Sequence, residues 1–238
     1  MSNAAARTSL PRYIQISEML IREIVAGALV DGARLPPERD MANSLDTSVG
    51  TLRKALADLD AKGLLERVQG SGNYVRHKQD VAGIYAFFRL EKIAGGGLPT
   101  AHVLAIDRLA KPASAPDFGP DTEGNRIRRQ RYLDGEQIAV EEIWLDGAWA
   151  DVLDPVGLSE SLYHYYRRQL GLIVGRIEDR IGVAPVPEWA DGLFRHAVGA
   201  PVGYIERISW DQHGVRAEYS RTWYDFERAR YISRLGKG

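Results

Sequence analysis

The sequence predicts an α+β chain of two parts: a small helical N-terminal domain closed by a β-hairpin, and a larger C-terminal domain built on an antiparallel sheet. Within residues 10–76, three segments with apolar residues at helical spacing precede two short β segments around Gln69-Gly70-Ser71-Gly72. Beyond residue 100, alternating segments flank two turn signals, Asp134-Gly135-Glu136 and Asp211-Gln212-His213-Gly214. A length of 238 residues suits two modest domains or one large one.

The first helix is expected from Pro11 to Ala26, with Ile16, Leu20 and Ile24 at four-residue steps beside Met19, and Gly27 as its stop. Pro36 and Pro37 cannot lie inside a helix but can open one, so a second helix is expected from Pro37 to Leu45. Ser48 is placed to cap a third, running to Asp60 with Leu52, Ala55, Leu56 and Leu59 as its apolar stripe. Val49, Gly50, Arg53 and Lys54 lie mostly outside that stripe, as in a helix whose early residues enter a DNA major groove. The glycines of the hairpin tip allow its backbone a close approach to a groove. Feature by feature, a plain three-helix domain with a solvated basic face reads equally well. The order of the four elements points to DNA.

Charge alone does not. Residues 10–78 hold ten basic and nine acidic residues, and residues 79–238 hold twenty and twenty-three. There is no cysteine, which excludes disulfides and thiolate-bound metal and fits a cytoplasmic protein. No stretch approaches the ~20 apolar residues of a membrane span. The first nine residues lack an apolar signal core and read as a disordered leader.

For the second domain, expected from residue 84 to 236 after a linker at 77–83, strands are expected at 102–111, 125–133, 137–145, 172–183, 202–210 and 215–225. Helices are expected at 159–170 and 187–198. Arg129 and Arg131, two apart on one strand, share a face, and Glu141 lies on the partner strand. Two guanidiniums and a carboxylate suit a small anion that also carries hydroxyl or amine groups. A solvated cross-strand ion pair, worth little, is the competing reading.

Residues of the N-terminal part resemble the GntR regulators. The matching runs are Pro11 to Ile16, Gly32 to Ala42, Thr51 to Leu56, Gly63 to Leu65 and Gly70 to Val75. The resemblance implies a winged helix-turn-helix over residues 10–76 that binds double-stranded operator DNA. Arg34 and Arg39 would meet phosphates, and Arg53 a base edge or phosphate beside Ser48, Val49, Gly50, Thr51 and Lys54. Gly70, Ser71 and Gly72 would place the wing at the minor groove. Three positions depart from the family's pattern: Pro37 replaces a capping serine, Asp46 a glycine, and Val49 an arginine at the start of the recognition helix. Loss of that arginine shifts weight to Arg53 and Lys54.

The C-terminal part resembles the effector-sensing UTRA domain of the HutC branch, whose fold is shared with chorismate lyase. The carrying runs are Arg129 to Glu141, Ser161 to Tyr163, Gly199 to Val202 and Glu218 to Tyr224. This implies a homodimeric regulator of repressor type that responds to a small anionic effector: a sugar phosphate, an amino sugar phosphate or a carboxylate. Its contacts would be Arg129, Arg131, Glu141, Ser161, Tyr163, Arg176, Glu218 and Tyr224. Arg89 stands after Phe88 where relatives that sense phosphorylated amino sugars carry serine or threonine, and it is a further effector candidate. No cofactor or metal is expected. The shared fold raises a lyase-like enzyme as an alternative, and a DNA-binding protein without ligand control as another. Against catalysis, no nucleophile–base pair is legible, and His77, His102, His164, His196 and His213 lack metal-ligand spacing.

Overall fold

A computed structural model describes residues 11–25, 27–76, 87–155, 158 and 162–234. They fall into two compact units, one built on Leu10–Leu90 and the other on Pro99–Arg230. The expected linker, 77–83, lies outside the described residues.

In the first unit α1 (Arg12–Val25), α2 (Glu38–Ser44) and α3 (Val49–Ala61) precede an antiparallel hairpin of β1 (Leu65–Val68) and β2 (Gly72–Val75). The expected stripes meet in one core: Ile16, Leu20, Ile24, Leu52, Leu56 and Leu59 are all buried. Pro37 opens α2 without a side-chain cap, whereas the Ser48 hydroxyl accepts the Thr51 amide at 3.1 Å and starts α3. Between α2 and α3 the chain passes through Asp46 at φ 46°. The turn requires a left-handed residue, which is why glycine suits this position and why aspartate, tolerant of that region, can replace it.

The second unit is a six-stranded antiparallel sheet. Its strands are β4 (Pro99–Ala110), β5 (Glu123–Leu133), β6 (Glu136–Asp146), β7 (Arg176–Pro185), β8 (Pro201–Trp210) and β9 (Arg216–Tyr224), in the order β4-β5-β6-β9-β8-β7. Two meanders, β4 to β6 and β7 to β9, are thus joined along a single seam where β6 pairs with β9. Asp134 and Gly135, at φ 49° and 82°, form the tight β5–β6 turn expected of that dipeptide. The Asp211 carboxylate accepts the amides of His213 and Val215, both at 2.8 Å, and fixes the β8–β9 turn. Outside this sheet, β3 (Leu90–Lys92) pairs with β10 (Ala229–Tyr231).

The helix expected at 159–170 is present over its described part, as α4 (Leu162–Tyr165) continued by a π-helical turn over Tyr166–Leu170 and ended by Gly171 at φ 66°, while 159–161 lie outside the described residues. One helical expectation needs correction. The segment 187–198 is not a helix. A single 3-10 turn, Glu188–Ala190, gives way to extended Asp191 and then to Gly192 at φ 65°. Its spaced apolar residues pack individually on the sheet, with Ala190 and Phe194 buried against Val140 and Trp223.

Candidate functional site

Cross-strand register brings distant residues together on one face of the sheet. Arg129 pairs with Glu141, Arg131 with Ala139, Glu141 with Thr222, Leu145 with Glu218, Ser209 with Glu218, and Asp179 with Arg207. Opposed residues of an antiparallel pair share a face, so Arg129, Arg131, Glu141, Asp179, Arg207, Ser209, Glu218 and Tyr224 form a single layer. Arg129 donates from Nε and Nη2 to one Glu141 oxygen at 3.1 and 2.6 Å, and the Arg131 Nε lies 3.8 Å from the other. With Arg129, Arg131 and Glu141 exposed by 6, 3 and 8%, this is not a solvated surface pair. Burial works against the Glu141 charge, but Arg129 and Arg131 outweigh it and hold the carboxyl below its ordinary value.

Across the seam Arg207 clasps Asp179 in a bidentate pair, at 2.6 and 2.7 Å. The Asp179 partnership more than offsets the burial of Arg207 and raises its pKa. Glu218 is surrounded by hydroxyls: Tyr163 donates to it at 3.1 Å, Tyr166 at 2.8 Å and Ser209 at 3.0 Å. Even so, burial dominates and pushes its pKa up, and the same burial beside Glu218 raises Tyr163 and Tyr166. The result is a desolvated layer of guanidiniums, carboxylates and phenols, able to grip a small oxyanion by charge and its hydroxyl groups by hydrogen bonds.

Of the residues expected to contact an effector, the sheet thus brings Arg129, Arg131, Glu141, Glu218 and Tyr224 to one face, and α4 adds Tyr163. The Tyr224 ring lies over Gly203, where a β-carbon would stand 2.3 Å from it. Arg176 is not brought there. It pairs with Trp210, stacks its guanidinium 4.3 Å from that ring, and lies on the opposite face with Glu178 and Arg180. Ser161 is outside the described residues. Arg89 belongs to the first unit, where its carbonyl accepts the Ile232 amide. Arg207, Asp179, Ser209 and Tyr166 were not foreseen. An arginine and a serine two apart on β8 were a visible pattern, but nothing local says which strand lies beside them.

In the first unit Ser48, Gly50, Arg53 and Lys54 are exposed at the start of α3, as are Arg39 on α2 and Arg34 before it. Thr51 and Ser71 are partly covered: Thr51 Oγ1 lies 2.9 Å from the Ser48 hydroxyl, and Ser71 shares a hydrogen bond with Tyr74 at 2.6 Å. Val49, expected to face outward, is half-buried and packs on the helical core. The Arg53 Nε donates to Glu38 on α2 at 2.6 Å, while its side chain stays 65% exposed. Gly70 and Gly72 take φ 77° and 133° at the wing. A β-carbon at Gly72 would stand 3.2 Å from the Arg34 Nε, so glycine there lets Arg34 lie along the wing. Among the described residues no cluster of His, Asp or Glu is arranged to hold a metal, and no helix is long and apolar enough to cross a membrane.

Comparison with known proteins agrees with both halves. Residues 12–75 match the family described as bacterial regulatory proteins, gntR family, and residues 95–230 match the UTRA domain. The chain is 56% identical over 227 residues to the HTH-type transcriptional regulator SmoD of Agrobacterium fabrum, covering 95% of this chain and 97% of that one. It is 28% identical over 223 residues to the mannosyl-D-glycerate transport/metabolism system repressor MngR of Escherichia coli, covering 89 and 90%. The crystal structure of YydK from Bacillus subtilis shares the fold, with a TM-score of 0.55 at 24% identity, over 95% of this chain and all of that one. The chain belongs to the GntR family, of the class that joins a winged helix-turn-helix to a UTRA domain, and it is a DNA-binding transcriptional regulator rather than an enzyme.

Proposed function

We propose that this regulator acts as a homodimer on operator DNA in the cytoplasm, and that a small anionic metabolite bound over Arg129, Arg131 and Glu141 controls its operator affinity. The domain at 10–76 would read DNA through Arg53, Lys54 and the wing, and the domain at 84–236 would sense the effector. The observation that carries the reading is the burial of two arginines against one carboxylate, facing Arg207 and Glu218 across the seam. An incoming anion would compete with Glu141 for the guanidiniums, while Tyr163 and Ser209 offer hydroxyls to the rest of the molecule. The name of the Escherichia coli relative contains mannosyl-D-glycerate, a sugar joined to a carboxylate, which supports a ligand of this kind.

The test is a thermal-shift screen of sugar phosphates, amino sugar phosphates and small carboxylates on the full-length protein. A ligand of the folded state stabilises it by ~2.7 kcal/mol at one hundred times its dissociation constant. Each hit is then titrated with and without operator DNA. Coupling of ~1.4 kcal/mol changes affinity tenfold, and reciprocity requires DNA to change effector binding by the same factor. Equal affinity in both titrations refutes the sensor reading. Full affinity in Arg131→Ala refutes the site.

A further inference from the structure

The charged layer on the sheet has two ends that differ in charge. At one, the guanidiniums of Arg129 and Arg131 share the single carboxylate of Glu141, which leaves one positive charge over. At the other, Arg207 and Asp179 pair one to one and cancel. Glu218, the third carboxylate of the layer, is pushed toward its neutral form by burial. The two ends stand apart: β6 and β9 lie between β5 and β8, so three interstrand steps of ~4.8 Å separate the backbones. Short residues floor the interval, Ile143 on β6 and Ser220 and Thr222 on β9. Ser220 and Thr222 are 7 and 8% exposed, and among the described residues neither hydroxyl has a hydrogen-bond partner. Arg207 engages Asp179 through Nε and Nη2, which leaves its Nη1 donors outside that pair.

We infer that Arg207 and Asp179 are the specificity-determining pair of the effector site, and that the effector is a sugar bearing one negative charge. Its oxyanion lies on Arg129 and Arg131, and its hydroxyl-bearing end lies on the Arg207–Asp179 pair. This rests on the reading that the layer binds the effector, and adds what the far end of that molecule is. A guanidinium beside a carboxylate presents donors next to an acceptor, which matches two neighbouring neutral hydroxyls, one accepting and one donating. A second anion at that end would meet the Asp179 charge at close range, away from water, with no net positive charge to offset it. Ser220 and Thr222 offer hydroxyls to the body of the sugar between the two ends. A short carboxylate reaches only the Arg129 end and leaves those groups unbonded.

The test is calorimetry on the full-length protein with matched probes. Gluconate and glucuronate carry one charge each, 6-phosphogluconate and glucuronate 1-phosphate carry more, glucose carries none, and glycolate is too short to reach Arg207. One of the two sugar acids should bind about tenfold or more tighter than its phosphorylated counterpart, glucose and glycolate. Asp179→Asn removes the countercharge of Arg207, so the affinity of the phosphorylated probe relative to the sugar acid should rise about tenfold. A purely structural pair would weaken both probes alike and leave that ratio unchanged. The double variant Arg207→Met with Asp179→Leu exchanges a buried ion pair for apolar side chains, a change that folded proteins tolerate well. It should reduce the sugar acid to the affinity of glycolate and leave glycolate binding as it was. Tighter wild-type binding of a phosphorylated probe, no binding of either sugar acid, an unchanged ratio in Asp179→Asn, or full sugar-acid affinity in the double variant each overturns this inference. Sugar-acid binding that also survives Arg131→Ala overturns the effector site itself.

Discussion

Replacing Glu141 by glutamine isolates the electrostatic logic of the buried layer. The change keeps the shape and one oxygen acceptor for the Arg129 Nη2, now at 2.6 Å, but leaves Arg129 and Arg131 without their shared countercharge. Breaking a buried ion pair by removing one partner costs about 3–5 kcal/mol. The retained hydrogen bond puts the expected loss near the lower end, about 3 kcal/mol, which lowers the Tm of a domain this size by roughly 6–12 °C. The loss should be partly reversed by sulfate, a divalent anion able to stand between the two guanidiniums. At matched ionic strength, sulfate should raise the Tm of Glu141→Gln more than that of wild type, and chloride should not. The gap should also narrow in acid. Glu141 titrates below its ordinary value of 4.5 when folded, so its stabilisation is complete above that pH and is lost as the pH falls through the lowered pKa, a loss the amide cannot suffer. A loss under about 1 kcal/mol, or an equal response of both proteins to sulfate, would refute the claim that this pair is a buried anion-ready centre.

Glu218 should behave in the opposite sense. Its folded pKa is raised by burial above the ordinary 4.5, so the carboxyl favours folding in acid and loses that contribution as pH rises through the folded pKa; the Tm of Glu218→Gln should gain on wild type as the pH rises from 4.5. On DNA, Arg53→Ala should cost ~1–3 kcal/mol with its own operator and relax discrimination at one position. Lys54→Ala should weaken all sequences alike and flatten the salt dependence, read by fluorescence anisotropy across a salt series. Asp46→Gly removes a left-handed aspartate and should stabilise the first unit by up to about 1 kcal/mol in chemical denaturation, with operator affinity unchanged.

The first unit was readable almost residue by residue because its information is local: helical spacing, a serine cap and glycines at the wing each act within a few positions. Val49 is the exception, since a wheel drawn from α3 alone omits the neighbouring helices on which it packs. In the second unit, hairpins announced by Asp134-Gly135 and Asp211 were legible, and so was the pairing of Arg129 with Glu141 across one of them. The other half of the charged layer was not. Arg207 and Glu218 reach that site only because β9 pairs with β6, a choice no turn between neighbouring strands dictates. Arg176 shows the complementary hazard, for in a strand a single step of parity moves a side chain to the other face. The segment 187–198 failed differently: apolar residues at helical intervals were placed one by one against the sheet, and Gly192 at φ 65° with extended Asp191 breaks any helix there.

The seam between β6 and β9 has a consequence for the order in which this sheet comes together and comes apart. Within each meander every contact is between strands adjacent in the chain, whereas β6 and β9 are separated by β7 and β8 and must close a long loop. Closing it also drives Glu141 and Glu218 out of water. Long-range pairing of this kind is intrinsically slow to form, and the two meanders should be the cooperative units that part first. Amides of the β6–β9 ladder should therefore exchange with solvent sooner than those inside either meander. A metabolite that touches Arg129 on one side and Arg207 on the other would act as a stitch across that line, felt as slowed exchange along its whole length.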